Sequence, residues 1–155
     1  MVREGKKAPA FMLPSSEGGK LGLGDLKGKT VVLYFYPKDD TPGCTREAQG
    51  FRDVAKKLAR KGVVVVGVSR DSLASHEKFI DKYDLNFALL SDADAAVHQK
   101  YGAWGEKNMY GKKTVGPLRT TVVIGPDQKV VRVFPRVRVD DHVEKVLESI
   151  EAASE

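Results

Sequence analysis

The chain contains one cysteine, Cys44, in the stretch Tyr36-Pro37-Lys38-Asp39-Asp40-Thr41-Pro42-Gly43-Cys44-Thr45-Arg46-Glu47. That stretch joins a strongly apolar run to a helical pattern, which places the thiol in the first turn of a helix. The free N–H groups and the dipole of a helix N-terminus stabilise negative charge. Cysteines in such positions tend to ionise readily and to react as thiolates. With one thiol in 155 residues no internal disulfide can form. Redox chemistry at Cys44 must therefore take its second sulfur from another molecule.

The neighbours suit this chemistry. Thr41 fits the N-cap, Pro42 the first helical position, and Gly43 and Cys44 the next two. Gly43 has no side chain to block approach to the sulfur. The backbone N–H groups of the first turn point at the space above the thiol, and the Thr41 hydroxyl reaches the same space. Pro37 and Pro42 stiffen the loop and exclude water. By residue type alone a lone cysteine is more often a small buried hydrophobe than a nucleophile, and Thr41 can be read as a cap and no more. Gly43 on one side and the charged Arg46 and Glu47 on the other argue against a dry core position for Cys44. Glu47 itself reads two ways, as a hydrogen-bonding anchor for the loop or as a first-turn glutamate favoured by the dipole.

Several elements must position these residues. Thr30–Tyr36 and Val63–Val68 are continuous β-branched runs, the pattern of central strands buried on both faces. Phe87–Leu90 is a shorter strand, and Thr120–Ile124 and Lys129–Phe134 flank a turn-rich Gly125-Pro126-Asp127-Gln128. Phe11–Pro14 suits an edge strand. Helical periodicity runs over 45–61, with Ala48, Phe51, Val54, Ala55 and Leu58 on one stripe and Gly62 as the stop. Ser72 opens a second helix bearing Phe79, Ile80 and Tyr83. Asp92 caps a third through Val97 and Tyr101, and Asp140 begins the last. Residues 102–118, rich in Gly and Lys, form the longest stretch without a pattern and read as a loop. The alternation predicts an α/β fold with a central mixed sheet and helices on both faces, formed by one domain over 1–155. Active groups in such sheets lie at the carboxyl ends of strands, and Cys44 directly follows one.

Composition narrows the class. The hydrophobic and charged fractions, 41% and 30%, exclude a disordered or fibrous chain. The charged N-terminus lacks the apolar core of a signal peptide, and no apolar run approaches the roughly 20 residues of a membrane span. A cytoplasmic protein is expected. The net charge of +5 reads as a solvated lysine-rich surface. Lys56, Lys57, Arg60 and Lys61 sit where a helix end favours cations, and no aromatic–basic motif points to nucleic acid. His76, His98 and His142 lack ligand spacing, so no metal is expected. No haem, flavin or nucleotide is called for either.

The Pro37-x-x-x-Thr41-x-x-Cys44 pattern resembles that of the peroxiredoxins. Phe35 to Ala48 followed by Gly50-Phe51-Arg52-Asp53, then Val68-Ser69-Arg70-Asp71-Ser72, Leu90-Ser91-Asp92, Tyr101 to Lys107, and Arg119 before Thr120–Ile124 resemble the bacterioferritin comigratory protein (peroxiredoxin Q) branch. The resemblance implies a thioredoxin-like fold. It implies that Cys44 is oxidised to sulfenic acid by hydrogen peroxide or organic hydroperoxides. It makes Thr41 and Arg119 active-site residues, with Pro37, Pro42 and Gly43 shaping the substrate pocket. An external thiol (thioredoxin, a glutaredoxin or a small thiol) is then the partner, in a family of monomers and dimers. The chain departs from its branch at Gln49, where many members carry a resolving cysteine. It matches a one-cysteine enzyme, or a two-cysteine enzyme with its second cysteine replaced. Gly50 weakens the helix locally by about 1 kcal/mol relative to alanine. The missing thiol also motivates a second reading, a non-catalytic redox-sensing or chaperone-like module of the same fold. A general disulfide reductase is disfavoured by the lack of Cys-x-x-Cys.

Overall fold

The computed structural model describes residues 2–154, and its layout follows from a central strand that is apolar on both faces. In chain order the elements are β1 (Met12–Pro14), β2 (Lys20–Gly22), a 3-10 turn (Leu23–Leu26), β3 (Thr30–Phe35), α1 (Pro42–Arg60), β4 (Val63–Ser69), α2 (Leu73–Tyr83), β5 (Ala88–Ser91), α3 (Ala96–Lys100), β6 (Trp104–Met109), β7 (Lys112–Pro117), β8 (Thr120–Ile124), β9 (Val130–Phe134) and α4 (His142–Ser154). The main sheet has the order β5-β4-β3-β8-β9. The pairs β3–β4 and β4–β5 are parallel, and β3–β8 and β8–β9 antiparallel. This is a mixed sheet in an α/β fold.

Side chains alternate across β3, which explains why its sequence shows no polar face. Val31, Leu33 and Phe35 enter one apolar core with Val97 of α3, the N-terminal hairpin and the 3-10 turn. Val32, Tyr34 and Tyr36 enter the other with Phe51 of α1, Phe79 of α2 and Val146 of α4. Helix α1 packs through Cys44, Glu47, Ala48, Phe51, Ala55 and Leu58, all buried. That is the spacing of a single stripe.

The registers bring the chemistry together. Phe35 at the end of β3 pairs with Thr120 at the start of β8. Arg119, one residue before, therefore sits beside the point where the chain leaves β3 for Cys44.

Three expectations need correction. Residues 102–118 are not a loop: β6 and β7 pair antiparallel from Trp104↔Pro117 to Met109↔Lys112. The turn is made by Tyr110 (φ 53°) and Gly111 (φ 78°), two positive φ values as in a tight hairpin turn. Only Gly116 of β7 is buried, so no apolar alternation marks the strand in the sequence. Asp92 is not the N-cap of α3, which Ala95 occupies. Asp92 acts from further back, accepting from the N–H groups of Val97 (3.3 Å) and His98 (2.8 Å). The last helix starts at His142 rather than Asp140; Asp141 at φ 63° breaks the path just before it.

Gly67 in β4 lets the second core close. A β-carbon there would lie 2.7 Å from Leu89 Cδ2 and 2.9 Å from Tyr34 Cζ. The Tyr34 ring is fixed against Phe51, with centroids 4.8 Å apart. Gly67→Ala should therefore cost about 1–3 kcal/mol of unfolding free energy in urea titrations. An unchanged midpoint would show that Tyr34 and Leu89 can yield.

Candidate active site

Thr41 caps α1 with extended backbone (φ −94°, ψ 155°), and Pro42 follows at the first helical position. The first i→i−4 bond of the helix is Thr45 N–H to the Thr41 carbonyl, 2.8 Å. The N–H groups of Gly43 and Cys44 precede it and have no helical acceptor. Thr41 does not cap with its side chain. Its hydroxyl donates to the Lys38 carbonyl at 2.9 Å. The hydroxyl hydrogen is thus committed, and the oxygen lone pairs are left to accept from a ligand.

Cys44 is 1% exposed. It is not sealed in hydrocarbon: Arg119 Nη2 lies 3.1 Å from its sulfur. The same guanidinium donates through Nη1 to Glu47 Oε1 at 3.1 Å. Arg119 is one-fifth exposed and Glu47 1% exposed, so the cation forms the outer face of a buried trio. A guanidinium at this distance stabilises negative charge on the sulfur. Gly43 makes the contact possible. A β-carbon at 43 would stand 2.9 Å from Arg119 Nη2, so the space this residue leaves open is filled by the guanidinium.

Of the residues singled out in the sequence, Cys44 and Gly43 meet Arg119, and Thr41 precedes them as the helix cap. Pro37 borders Arg119. With Pro117, Leu118, Arg119 and Val137 it walls a cavity of about 280 Å³ whose rim carries Lys107 and Arg136. Pro42 is exposed and lies outside that wall. A larger cleft of about 800 Å³ opens between the end of α1 and α4, at the amino ends of β3 and β4, away from Cys44. Among the described residues no group of three His, Cys, Asp or Glu side chains could hold a metal.

Glu47 takes neither of the places expected for it. It does not tie the loop, and it is not a solvated first-turn acid. Burial pushes its carboxyl up from the ordinary 4.5 to about 7, although Arg119 pulls the other way. Sequence could not separate this from a surface glutamate; the one signal was its place on the apolar stripe, three residues after Cys44.

This shift couples folding to pH. The folded-state value lies above the unfolded one, so the native state holds the extra proton between about 4.5 and 7. Glu47 therefore contributes a penalty that grows as pH rises through that window. Glu47→Gln removes it. The unfolding free energy of the variant relative to the native protein should rise by on the order of 3 kcal/mol from pH 4.5 to pH 8. A difference constant with pH would contradict the assignment.

The AhpC/TSA family profile matches residues 4–133. A Coxiella burnetii protein named putative peroxiredoxin bcp is 53% identical over 146 residues, covering 94% of this chain and 97% of that one. Peroxiredoxin Bcp of Escherichia coli is 41% identical, covering 94% of each. Among solved structures, the bacterioferritin comigratory protein of Xanthomonas campestris superimposes with a TM-score of 0.91 at 36% identity, over 99% of this chain and 100% of that one. That protein is described for its alkyl peroxide reduction activity.

Proposed function

The chain belongs to the AhpC/TSA family and is a thiol-dependent peroxidase with the thioredoxin fold of the peroxiredoxins, and from this premise we propose that Cys44 is its peroxidatic residue. The observation that carries the reading is the 3.1 Å contact of the Arg119 guanidinium with the sulfur. It sets a cation against the one thiol of the chain, the placement that favours a nucleophilic thiolate.

The thiolate attacks the terminal oxygen of the hydroperoxide in line with the O–O bond. An S–O bond forms, the O–O bond breaks, and the sulfur is oxidised as the leaving oxygen is reduced to an alkoxide or hydroxide that takes up a proton. Thr41, its own hydrogen held by Lys38, accepts from the hydroperoxide O–H. The N–H groups of Gly43 and Cys44 and the guanidinium of Arg119 face the charge that builds on the oxygens. Water or an alcohol departs. A thiol then condenses with the sulfenic acid, releasing water, and a second thiol exchanges with the mixed disulfide to restore Cys44.

Hydrogen peroxide and alkyl hydroperoxides are the proposed substrates, the latter supported by the activity described for the Xanthomonas relative. The reductant is external, since the chain holds one cysteine and Gln49 stands five residues beyond it. Thioredoxin, a glutaredoxin or a small thiol is proposed for that role. We take 1–155 as one domain of a cytoplasmic protein, monomeric or homodimeric. No helix among the described residues is long and apolar enough to cross a membrane.

Intact mass after stoichiometric peroxide should show one added oxygen on the native protein and none on Cys44→Ser, which should also consume no peroxide. Oxygen uptake elsewhere in Cys44→Ser would remove Cys44 from the mechanism. Thr41→Val should slow the oxidation step by about tenfold or more with the melting temperature almost unchanged. An unaltered rate would reduce Thr41 to a helix cap. Turnover with thioredoxin, glutathione–glutaredoxin and dithiothreitol, compared side by side, identifies the donor.

A further inference from the structure

The segment Pro37–Thr41 is held far more firmly than a connection between strand and helix requires. His76, near the start of α2, is fully buried. Its Nδ1 lies 2.7 Å from Asp39 Oδ2 and its Nε2 2.9 Å from the Leu90 carbonyl. The ring thus bridges the Asp39 carboxyl and the backbone of β5, with both nitrogens engaged. Asp39 is buried too. Its Oδ1 accepts from the Tyr36 hydroxyl (2.5 Å) and its Oδ2 also from Ser75 Oγ (2.8 Å). Its N–H donates to Asp71 Oδ2 at 2.9 Å, which the Ser69 hydroxyl also reaches at 2.7 Å. One loop residue is thus tied by side chain and backbone to the ends of β3, β4 and β5 and to α2.

The residues on either side of Asp39 carry this constraint to the site. The carbonyl of Lys38 receives the Thr41 hydroxyl. Asp40, held at φ 59°, receives Lys82 Nζ at 2.8 Å and the Tyr83 hydroxyl at 2.7 Å from the other end of α2. A buried polar pair adds little net stability over a well-packed apolar replacement. What it supplies here is placement. We propose that Asp39 and His76 are positioning residues for the peroxide step: they fix the loop that aims Thr41 and the first turn of α1, and touch neither the sulfur nor the substrate. The inference rests on Cys44 and Thr41 acting as proposed above.

The fold holds a matched control. Asp92 and His98 form a second fully buried pair, Oδ2 to Nδ1 2.6 Å. Asp92 serves the N-terminus of α3 and makes no hydrogen bond to the 37–41 loop. The test compares Asp39→Asn with Asp92→Asn. Two rates are measured on reduced protein: oxidation of the thiol by hydrogen peroxide, and its alkylation by iodoacetamide. Alkylation needs the thiolate alone; oxidation needs the aimed donors and acceptors as well. In Asp39→Asn the oxidation rate should fall by about tenfold or more while alkylation changes by less than about threefold, because small misplacements are costly only where several groups must converge. In Asp92→Asn the ratio of the two rates should stay as in the native protein. Tyr36→Phe removes one donor from Asp39 without leaving a buried charge unpaired. It should shift the ratio in the same direction by about threefold even if the amide variant does not fold.

An unchanged ratio in folded Asp39→Asn or, where that variant does not fold, in Tyr36→Phe overturns the proposal. So does an equal shift in Asp92→Asn, since the effect would then be general to buried pairs. Failure of the native thiol to react with peroxide at all would instead sink the reading of Cys44.

Discussion

One guanidinium inside the fold faces two groups that both carry negative charge in their ionised forms. Arg119 donates to the Cys44 sulfur with one nitrogen and to the Glu47 carboxylate with another, each at 3.1 Å. Neither acid group has appreciable contact with water. In such surroundings an unpaired charge is very costly, so the planar, two-pronged shape of arginine is what lets both be served at once. A lysine could not span the pair in this way. Burial disfavours the ionised form of Glu47, and the Arg119 guanidinium offsets only part of that cost.

Much of the fold exists to deliver that contact. The β3–β8 register sets Arg119 beside the exit of β3. The exit leads through a short loop to α1, whose apolar stripe turns Cys44 and Glu47 inward on the same face. Gly43 leaves room for the guanidinium where any side chain would collide with it. Each of these choices is local, yet none has a purpose apart from the others.

The five strands of the main sheet, the long helices and the position of Cys44 were legible because each rests on a short-range signal. The β-branched runs of β3 and β4, the stripe of α1 and the Thr41-Pro42 start all declare themselves within a dozen residues. The β6–β7 hairpin did not, because a hairpin that buries so few of its side chains needs no apolar alternation. Arg119 was accessible only through resemblance. It lies 75 positions from Cys44, and no periodicity links the two. The pairing of Asp39 with His76, 37 positions apart, was invisible for the same reason. Gly50 was read as a weak point of the helix. Its packing reason appeared only with α4 in place, where Val143 Cγ2 would stand 2.8 Å from any β-carbon at that position.

That close crossing of α1 and α4 sets a boundary on motion. Fraying of α1 that begins at Pro42 and reaches Gln49 breaks backbone bonds, releases Arg119 from Cys44 and Glu47, and exposes the buried Ala48. Beyond Gly50 it must also prise Val143 away and expose Phe51, which is wholly buried. The cost of loosening the helix therefore rises again at Gly50, after about two turns, so opening that admits a bulky thiol partner to the sulfur meets a boundary before the interior of the protein comes apart.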